Sequence, residues 1–278
     1  MKFPLYKPSD FTAFQRRLTL CGTLRLETAL RVATGREDGM SATDIAVFKD
    51  QLRRPFIPGS SLKGALRAHI ERIVRSSSPG EACDPLDERG RCLNNDEMDG
   101  LRSKYKNGQA GLAEEVLSHT CRVCRLFGSP WLASKVMVRD LTLVQPEMWA
   151  ERRYEVRTNV AIDRDSETAK DGALYDSQVV PPGVAFQWQI MVENADPQYE
   201  EPLLYLGMRE MMGGHLPLGG GKSRGLGNVR LFVDEAKSEI VDGQALSEYL
   251  VTGKGSPVVW AELEKRIGKC IQSLGQQE

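Results

Sequence analysis

Histidine is scarce in this sequence: His69, His119 and His215 are the only three in 278 residues. They stand apart, so no Ser-His-Asp or Cys-His pair can be argued from them, and ordinary histidine-based catalysis has little support. Long apolar runs are also missing. No stretch approaches the ~20 residues that span a bilayer, and residues 1–7 lack the apolar centre of a signal peptide. A cytoplasmic protein with no membrane partner is the expectation. A net charge of −1 gives no overall pull towards a polyanion. A complete P-loop is lacking too: the glycine that should open G-x-x-x-x-G-K-S falls at Leu216, and the run leads from helix to strand rather than strand to helix.

What is present describes a globular chain with a core, 41% hydrophobic and 27% charged. The charge is unevenly placed. Residues 81–100 carry a net −5 and residues 234–278 a net −3, which leaves +7 on the remainder. A basic body with acidic appendages suits a polyanion-binding surface whose other faces stay solvated, although scattered charge would look similar.

The chain is organised around Phe56-Ile57-Pro58-Gly59-Ser60-Ser61-Leu62-Lys63-Gly64-Ala65-Leu66-Arg67. Pro58-Gly59 predicts a turn, Ser60 or Ser61 a helix cap, and the spacing of Leu62, Ala65, Leu66, Ile70, Ile73 and Val74 an amphipathic helix to about residue 75. Its first turn holds Lys63 and no acid, against the helix dipole, and Gly64 there costs roughly 1 kcal/mol relative to alanine. An outside anion at the helix end would account for both choices; an ordinary capped helix with a solvated lysine is the plainer alternative.

Period-two alternation predicts strands over 15–32, 135–144, 184–192 and 228–233, with a helix over 202–212 before the last. A polar loop over 33–46 holds Glu37, Asp38 and Asp44. Long inserts interrupt the pattern at 76–120 and 150–183, and a tail adds helical stretches at 245–251 and 258–274. Without the inserts the order is β-α-β-β-α-β, an α+β, ferredoxin-like arrangement shared with RNA-recognition domains. The aromatic stacking pair of those domains is absent from the inner strands, so any RNA should be held by loops and backbone.

Three constellations carry chemistry. Cys121-x-x-Cys124, with Cys83 and Cys92 upstream, reads as a tetrahedral structural zinc site in an insert with little core of its own. His119 is a possible substitute ligand; metal-free thiols and redox chemistry are the alternatives, and Cys21 and Cys270 read as bystanders. The run 219–227 presents Gly220, Gly221, Lys222, Ser223 and Arg224, a backbone able to approach a phosphodiester closely with cations beside it; a flexible turn is the alternative. The insert from Arg157 and Asn159 to a return arm over 174–180 reads as a projecting hairpin with a polar tip; an unstructured loop is the alternative. Asp44, one loop upstream of the helix start, is the one suggestive acid, since a carboxylate beside an RNA backbone can hold a divalent metal or orient the 2′-hydroxyl.

Three motifs, namely 56–64, Cys121-x-x-Cys124-Arg125-Leu126-Phe127-Gly128-Ser129 and 219–227, together with the segment 157–183, strongly resemble the RAMP superfamily. In particular they resemble the repeated backbone subunit of type III CRISPR effector complexes, over roughly residues 17–233. The resemblance implies a single RAMP domain over 1–278, with a zinc-binding insert at 76–124, a thumb hairpin at 150–183 and an acidic helical extension at 234–278. It implies a CRISPR guide RNA held by Ser60, Ser61, Lys63, Arg67, Arg157, Asn159, Gly220, Gly221, Lys222, Ser223 and Arg224, and a complementary target RNA paired to that guide. It further implies a head-to-tail filament with copies of itself and with other effector subunits. In members that cut target RNA, an aspartate in the loop before Ile-Pro-Gly-Ser-Ser acts with Mg or Mn, and Asp44 matches it. The loop's usual glycine-rich approach is reduced here to Gly39-Met40-Ser41-Ala42. A catalytically silent scaffold and, less readily, a guide-processing enzyme are the other readings.

Overall fold

The computed structural model describes residues 11, 13–33, 45–105, 109–151, 154–162, 165 and 168–274. Glu37, Asp38 and Asp44 lie outside the described residues. In chain order the main elements are β1 (Arg16–Leu26), α1 (Gly59–Ser77), α2 (Asn95–Lys104), α3 (Gln109–Ser118), α4 (Arg122–Phe127), β2 (Val136–Val138), β3 (Thr142–Leu143), β4 (Glu155–Ile162), β5 (Ala169–Val179), β6 (Ala185–Glu193), α5 (Glu201–Met212), β7 (Val229–Val233), β8 (Glu239–Asp242), α6 (Leu246–Thr252), β9 (Ser256–Pro257) and α7 (Trp260–Leu274).

Alternation makes β1 the central strand. Leu18, Leu20, Leu24 and Leu26 point into the core, as a half-buried strand requires. β6 pairs antiparallel with almost all of β1 and turns Phe186, Trp188, Ile190 and Val192 to the same side. On the other edge of β1, β7 pairs with its second half and β8 with its first half. β2 and β3 both pair with β6, antiparallel. The buried stripe of α1 (Leu62, Leu66, Ile70 and Val74) and the apolar residues of α5 join this face in one cluster that reaches Leu274.

Two differences from the sequence expectation matter for the site. The strand expected over 135–144 is split into β2 and β3, because Leu141 leaves the sheet to exchange backbone hydrogen bonds with Ile57 at 2.8 and 3.0 Å. That detour sets residue 140 beside the start of α1. The segment after Val233 contains more than two helices: β8 extends the main sheet, and α7 buries Trp260, Leu263, Ile267, Cys270 and Leu274 in the shared core.

Buried ions tie these layers together. Arg16 Nε donates to Glu201 Oε1 at 2.9 Å, and its Nη1 reaches Asp242 in β8. The Tyr205 hydroxyl also donates to Glu201. Lys135 and Glu200 form a second pair at 2.6 Å, both nearly excluded from solvent. Burial pulls the Lys135 ammonium down and pushes the Glu200 carboxyl up, so their mutual attraction is what keeps the pair charged.

Candidate functional site

The glycine run after α5 is a tightly constrained loop. Leu218 N donates to Gly227 O, Gly220 N to Arg31 O, and Gly227 N to Ala29 O, all at 2.8–2.9 Å. Gly219 and Gly227 both have left-handed backbones, with φ of +73° and +80°. A side chain on either would collide, the first with Arg31 O at 2.2 Å and the second with Leu218 O at 1.9 Å. Glycine here serves close backbone packing, which argues against the flexible-turn alternative. Between Gly221 and Gly225 a short turn carries Lys222, Ser223 and Arg224, all exposed.

The strands β4 and β5 form a separate two-stranded antiparallel ribbon. Its β5 arm meets the glycine loop midway along the ribbon, since Arg224 Nη1 donates to the Tyr175 hydroxyl at 2.9 Å. That bond, the largest influence on Tyr175, holds its phenol below the usual range. Asn159 donates to Arg157 O at 2.9 Å and to Ser177 Oγ at 3.0 Å, while Arg157 is exposed beside Glu155. Ser177 in turn bridges to Ile45, the residue that follows Asp44. Ile45 N donates to Asp176 O, and Gln178 N to Ile45 O, at 3.2 and 2.9 Å. Segments 31, 45, 157–159, 175–178 and 220–224 therefore converge in one region. Arg31 and Tyr175 were not singled out in the sequence; only the strand over 15–32 and the return arm over 174–180 that hold them were.

The start of α1 departs from expectation. Neither Ser60 nor Ser61 makes a side-chain cap, and Pro58 occupies the cap position. The anion at this helix end comes from within: Asp140 Oδ1 accepts the Gly59 N–H at 2.8 Å. Lys63 is half-buried, donating to Ser134 Oγ at 2.6 Å and Val136 O at 2.9 Å, and burial lowers its ammonium below the usual lysine range. Arg67, four residues on along the same stripe, is likewise engaged within the chain. It donates to Glu71 at 2.7 Å, to Gly128 O at 3.0 Å and to Cys124 Sγ at 3.3 Å. Gly64 is exposed, and a Cβ there would meet nothing within 4 Å.

Arg67 thereby leads to the cysteines. The ligand atoms of Cys83, Cys92, Cys121 and Cys124 all lie within 4.8 Å of one another, with Cys121 and Cys124 buried. The unusual spacing of the upstream pair is closed by a short loop in which Asp84 N donates to Gly90 O. Cys121 precedes α4 and its carbonyl accepts from Arg125 N, so one helical turn brings Cys124 round to it. A hydrogen bond with Cys124 brings the Cys121 thiol below the usual cysteine range. Sulfurs bound at ~2.3 Å around a tetrahedral zinc are about 3.8 Å apart, and this all-sulfur donor set suits such an ion. The cluster can hold a metal such as zinc, with Arg67 donating to one sulfur from outside. His119 is exposed and bonded to Glu115 O and Ser118, not to the cluster. The lobe also has a small core of its own, Leu93, Met98 and Val116 with Trp131 beside them. Arg122, between the two CxxC cysteines, is 1% exposed in its side chain, lies 3.8 Å from the Tyr199 ring and donates to Ser273 and Cys270 of α7.

The RAMP superfamily model matches residues 23–230, three-quarters of the chain. The chain belongs to the RAMP superfamily. A curated relative, the CRISPR system Cms endoribonuclease Csm3 of Methanocaldococcus jannaschii, is 28% identical over 232 residues, covering 77% of this chain and 80% of the relative. The RAMP match takes in α1, the four cysteines, the β4–β5 ribbon and the glycine loop, and ends inside β7. β8, α6, β9 and α7 of this RAMP chain lie beyond it. No helix among the described residues is long and apolar enough to cross a membrane.

Proposed function

We propose that this chain is a guide-RNA-binding backbone subunit of a type III CRISPR effector complex, and that it cuts guide-paired target RNA. The observation that carries the reading is the meeting of the glycine loop, the β4–β5 ribbon and the segment beginning at Ile45 at one place, in a RAMP-superfamily chain related to a Csm3 endoribonuclease. The strand order β7-β1-β6-β2, with α1 and α5 as connections, supports a ferredoxin-like core. The exposed cations Lys222 and Arg224 hold phosphates of the guide, with Ser223 and the Gly220 and Gly221 backbone beside them. Arg157 and Asn159 act from the ribbon, which serves as the thumb inserted into the guide–target duplex. Of the four candidates at the α1 start, Ser60 and Ser61 are the better placed to meet RNA, because Lys63 and Arg67 are engaged inside the chain. Sequence is read by base pairing, and the protein reads backbone. The cysteine insert is held by one structural zinc, and copies of the chain repeat head to tail along the guide.

Cleavage needs little from the protein beyond alignment. The 2′-oxygen of the target attacks the adjacent phosphorus as its proton passes to water, and the P–O bond to the 5′-oxygen of the next nucleotide breaks as that oxygen takes a proton from water, giving a 2′,3′-cyclic phosphate and a 5′-hydroxyl. The ribbon splays the duplex so that the 2′-oxygen lies in line, and Asp44 is the carboxylate at that position. A bound Mg or Mn would supply charge stabilisation at the phosphate.

The decisive experiment is purification of the chain from its native host, followed by extraction of nucleic acid. RNA of defined length sharing a repeat-derived end should be recovered, in particles larger than one chain. Material free of RNA that also fails to bind added guide in low salt would end the RNA-binding reading.

A further inference from the structure

We propose that the cavity between the segment entering α1 and the β2–β3 link receives one unpaired RNA base, and that Asp140 selects there for a base presenting an amino group. The proposal rests on the RNA-binding reading above and adds to its backbone contacts one direct base contact.

The backbone sets the two walls against each other. Ile57 and Leu141 form an isolated antiparallel bridge, exchanging hydrogen bonds at 3.0 and 2.8 Å, and both side chains are buried. In that register Phe56 lies across from Thr142, and Pro58 across from Asp140. Alternation turns these neighbours away from the core, and all four keep solvent access. The cavity lined by Phe56, Asp140 and Thr142 measures about 440 Å³, within the ~300–1,000 Å³ of ligand pockets. It adjoins Gly59, where the helix carrying Ser60 and Ser61 begins. A strand meeting those serines brings its bases to the mouth of the cavity.

The lining suits a base in two respects. Phe56, half-buried and held by a tilted contact with Phe48 at 5.7 Å between centroids, gives flat apolar surface together with Pro146. An aromatic face stacks on any base. The polar edge is the selective part. Asp50 and Arg54 line it too, but they pair with each other at 2.7 Å. Asp140 differs: one oxygen accepts the Gly59 N–H at 2.8 Å, which fixes the carboxylate, and among the described residues its other oxygen has no partner. An ionised carboxylate can only accept. Cytosine offers it the N4 amino group, whereas uracil, of the same outline, turns the acceptor O4 to that position.

The test is fluorescence anisotropy of the full chain with labelled oligocytidylate and oligouridylate of equal length, in which every register presents the same base. The wild type should bind the cytidylate about ten-fold more tightly. Asp140→Asn keeps an acceptor for the Gly59 N–H but turns an amide donor to the base, so the preference should fall to about one or below. A merely structural role for Asp140 would leave that ratio unmoved. Phe56→Leu keeps apolar volume and loses the stacking face; both oligomers should bind about ten-fold more weakly, with the salt slope unchanged because no phosphate contact is lost. Thermal unfolding separates lost binding from lost fold, and Asp140→Asn carries the test if Phe56→Leu does not fold. The same cytidylate preference in wild type and Asp140→Asn, or a wild type that binds RNA with no preference, would overturn the pocket and leave the RNA-binding reading intact. Absence of RNA binding by the wild type would overturn both.

Discussion

Asp140 accepts the Gly59 amide N–H at 2.8 Å, across 81 residues of sequence. A helix whose first turn contains no acid is thereby supplied with a negative group from the link between β2 and β3. Asp140→Ala should lower stability by about 1 kcal/mol, the usual worth of a cap. Asp140→Asn keeps an acceptor and loses only the charge–dipole part, about 0.5 kcal/mol. Urea unfolding of RNA-free protein measures both, and identical midpoints for all three chains would show that the contact contributes nothing.

The glycine loop offers a graded comparison. Gly225 has φ +79° with open space around its Cβ position, whereas Gly227, at φ +80°, faces Leu218 O at 1.9 Å. Gly225→Ala should cost only the left-handed backbone penalty, roughly 1–2 kcal/mol. Gly227→Ala adds a collision with backbone and should cost about 3 kcal/mol or more. Calorimetric midpoints should fall in that order; the reverse order would contradict the packing described.

Elemental analysis of purified protein should give about one zinc per chain, as four thiolate ligands require. Cys121→Ser with Cys124→Ser should remove the metal and lower the thermal midpoint, and a strong chelator should do the same to the wild type. Arg67→Ala should retain the metal but release it faster to a chelator, because one sulfur loses its outer donor. Metal-free protein of unchanged stability would rule out the site.

Asp44→Ala and Asp44→Asn should abolish cutting of guide-paired RNA in an assembled complex while leaving guide and target binding unchanged. Removing divalent ions should have the same effect. Glu37→Gln and Asp38→Asn should matter less. Equal cleavage by wild type and Asp44→Ala would discard Asp44, and no cleavage by either would favour a silent scaffold.

Arg16→Ala would strand Glu201, whose side chain is 1% exposed, without its main cation. Losing one partner of a buried pair costs about 3–5 kcal/mol, and guanidinium unfolding should register that drop. A change under about 1 kcal/mol would mean that Arg266, 3.8 Å from Glu201, takes over.

The sequence made the central strands legible because β1 and β6 each bury one face, so apolar and polar residues alternate over many positions. It made the cysteines legible because CxxC spacing is local. What it hid was long-range. Nothing near Gly59 announces Asp140, and the stripe Lys63, Arg67, Glu71 reads as solvated until 128–136 is seen lying against it. β8 was missed because four residues flanked by acids, Glu239-Ile240-Val241-Asp242, are too few to establish a period. Tyr175 lies in a segment whose own pattern carries no sign that it meets Arg224, 49 residues on.

Arg122 makes the order of synthesis matter. It belongs to the cysteine lobe, yet the groups that bury its guanidinium include Cys270 and Ser273, 148 and 151 residues later. On the ribosome, a lobe complete in its four sulfurs has Glu81 beside this cation, 3.7 Å from its Nε, but lacks the α7 cover until residues 260–274 emerge. During that interval Glu81 and, once made, the Tyr199 ring are its partners, not the finished core. Ribosome-bound chains halted before α7 should therefore hold their cysteines in a looser, more readily alkylated state than released chains.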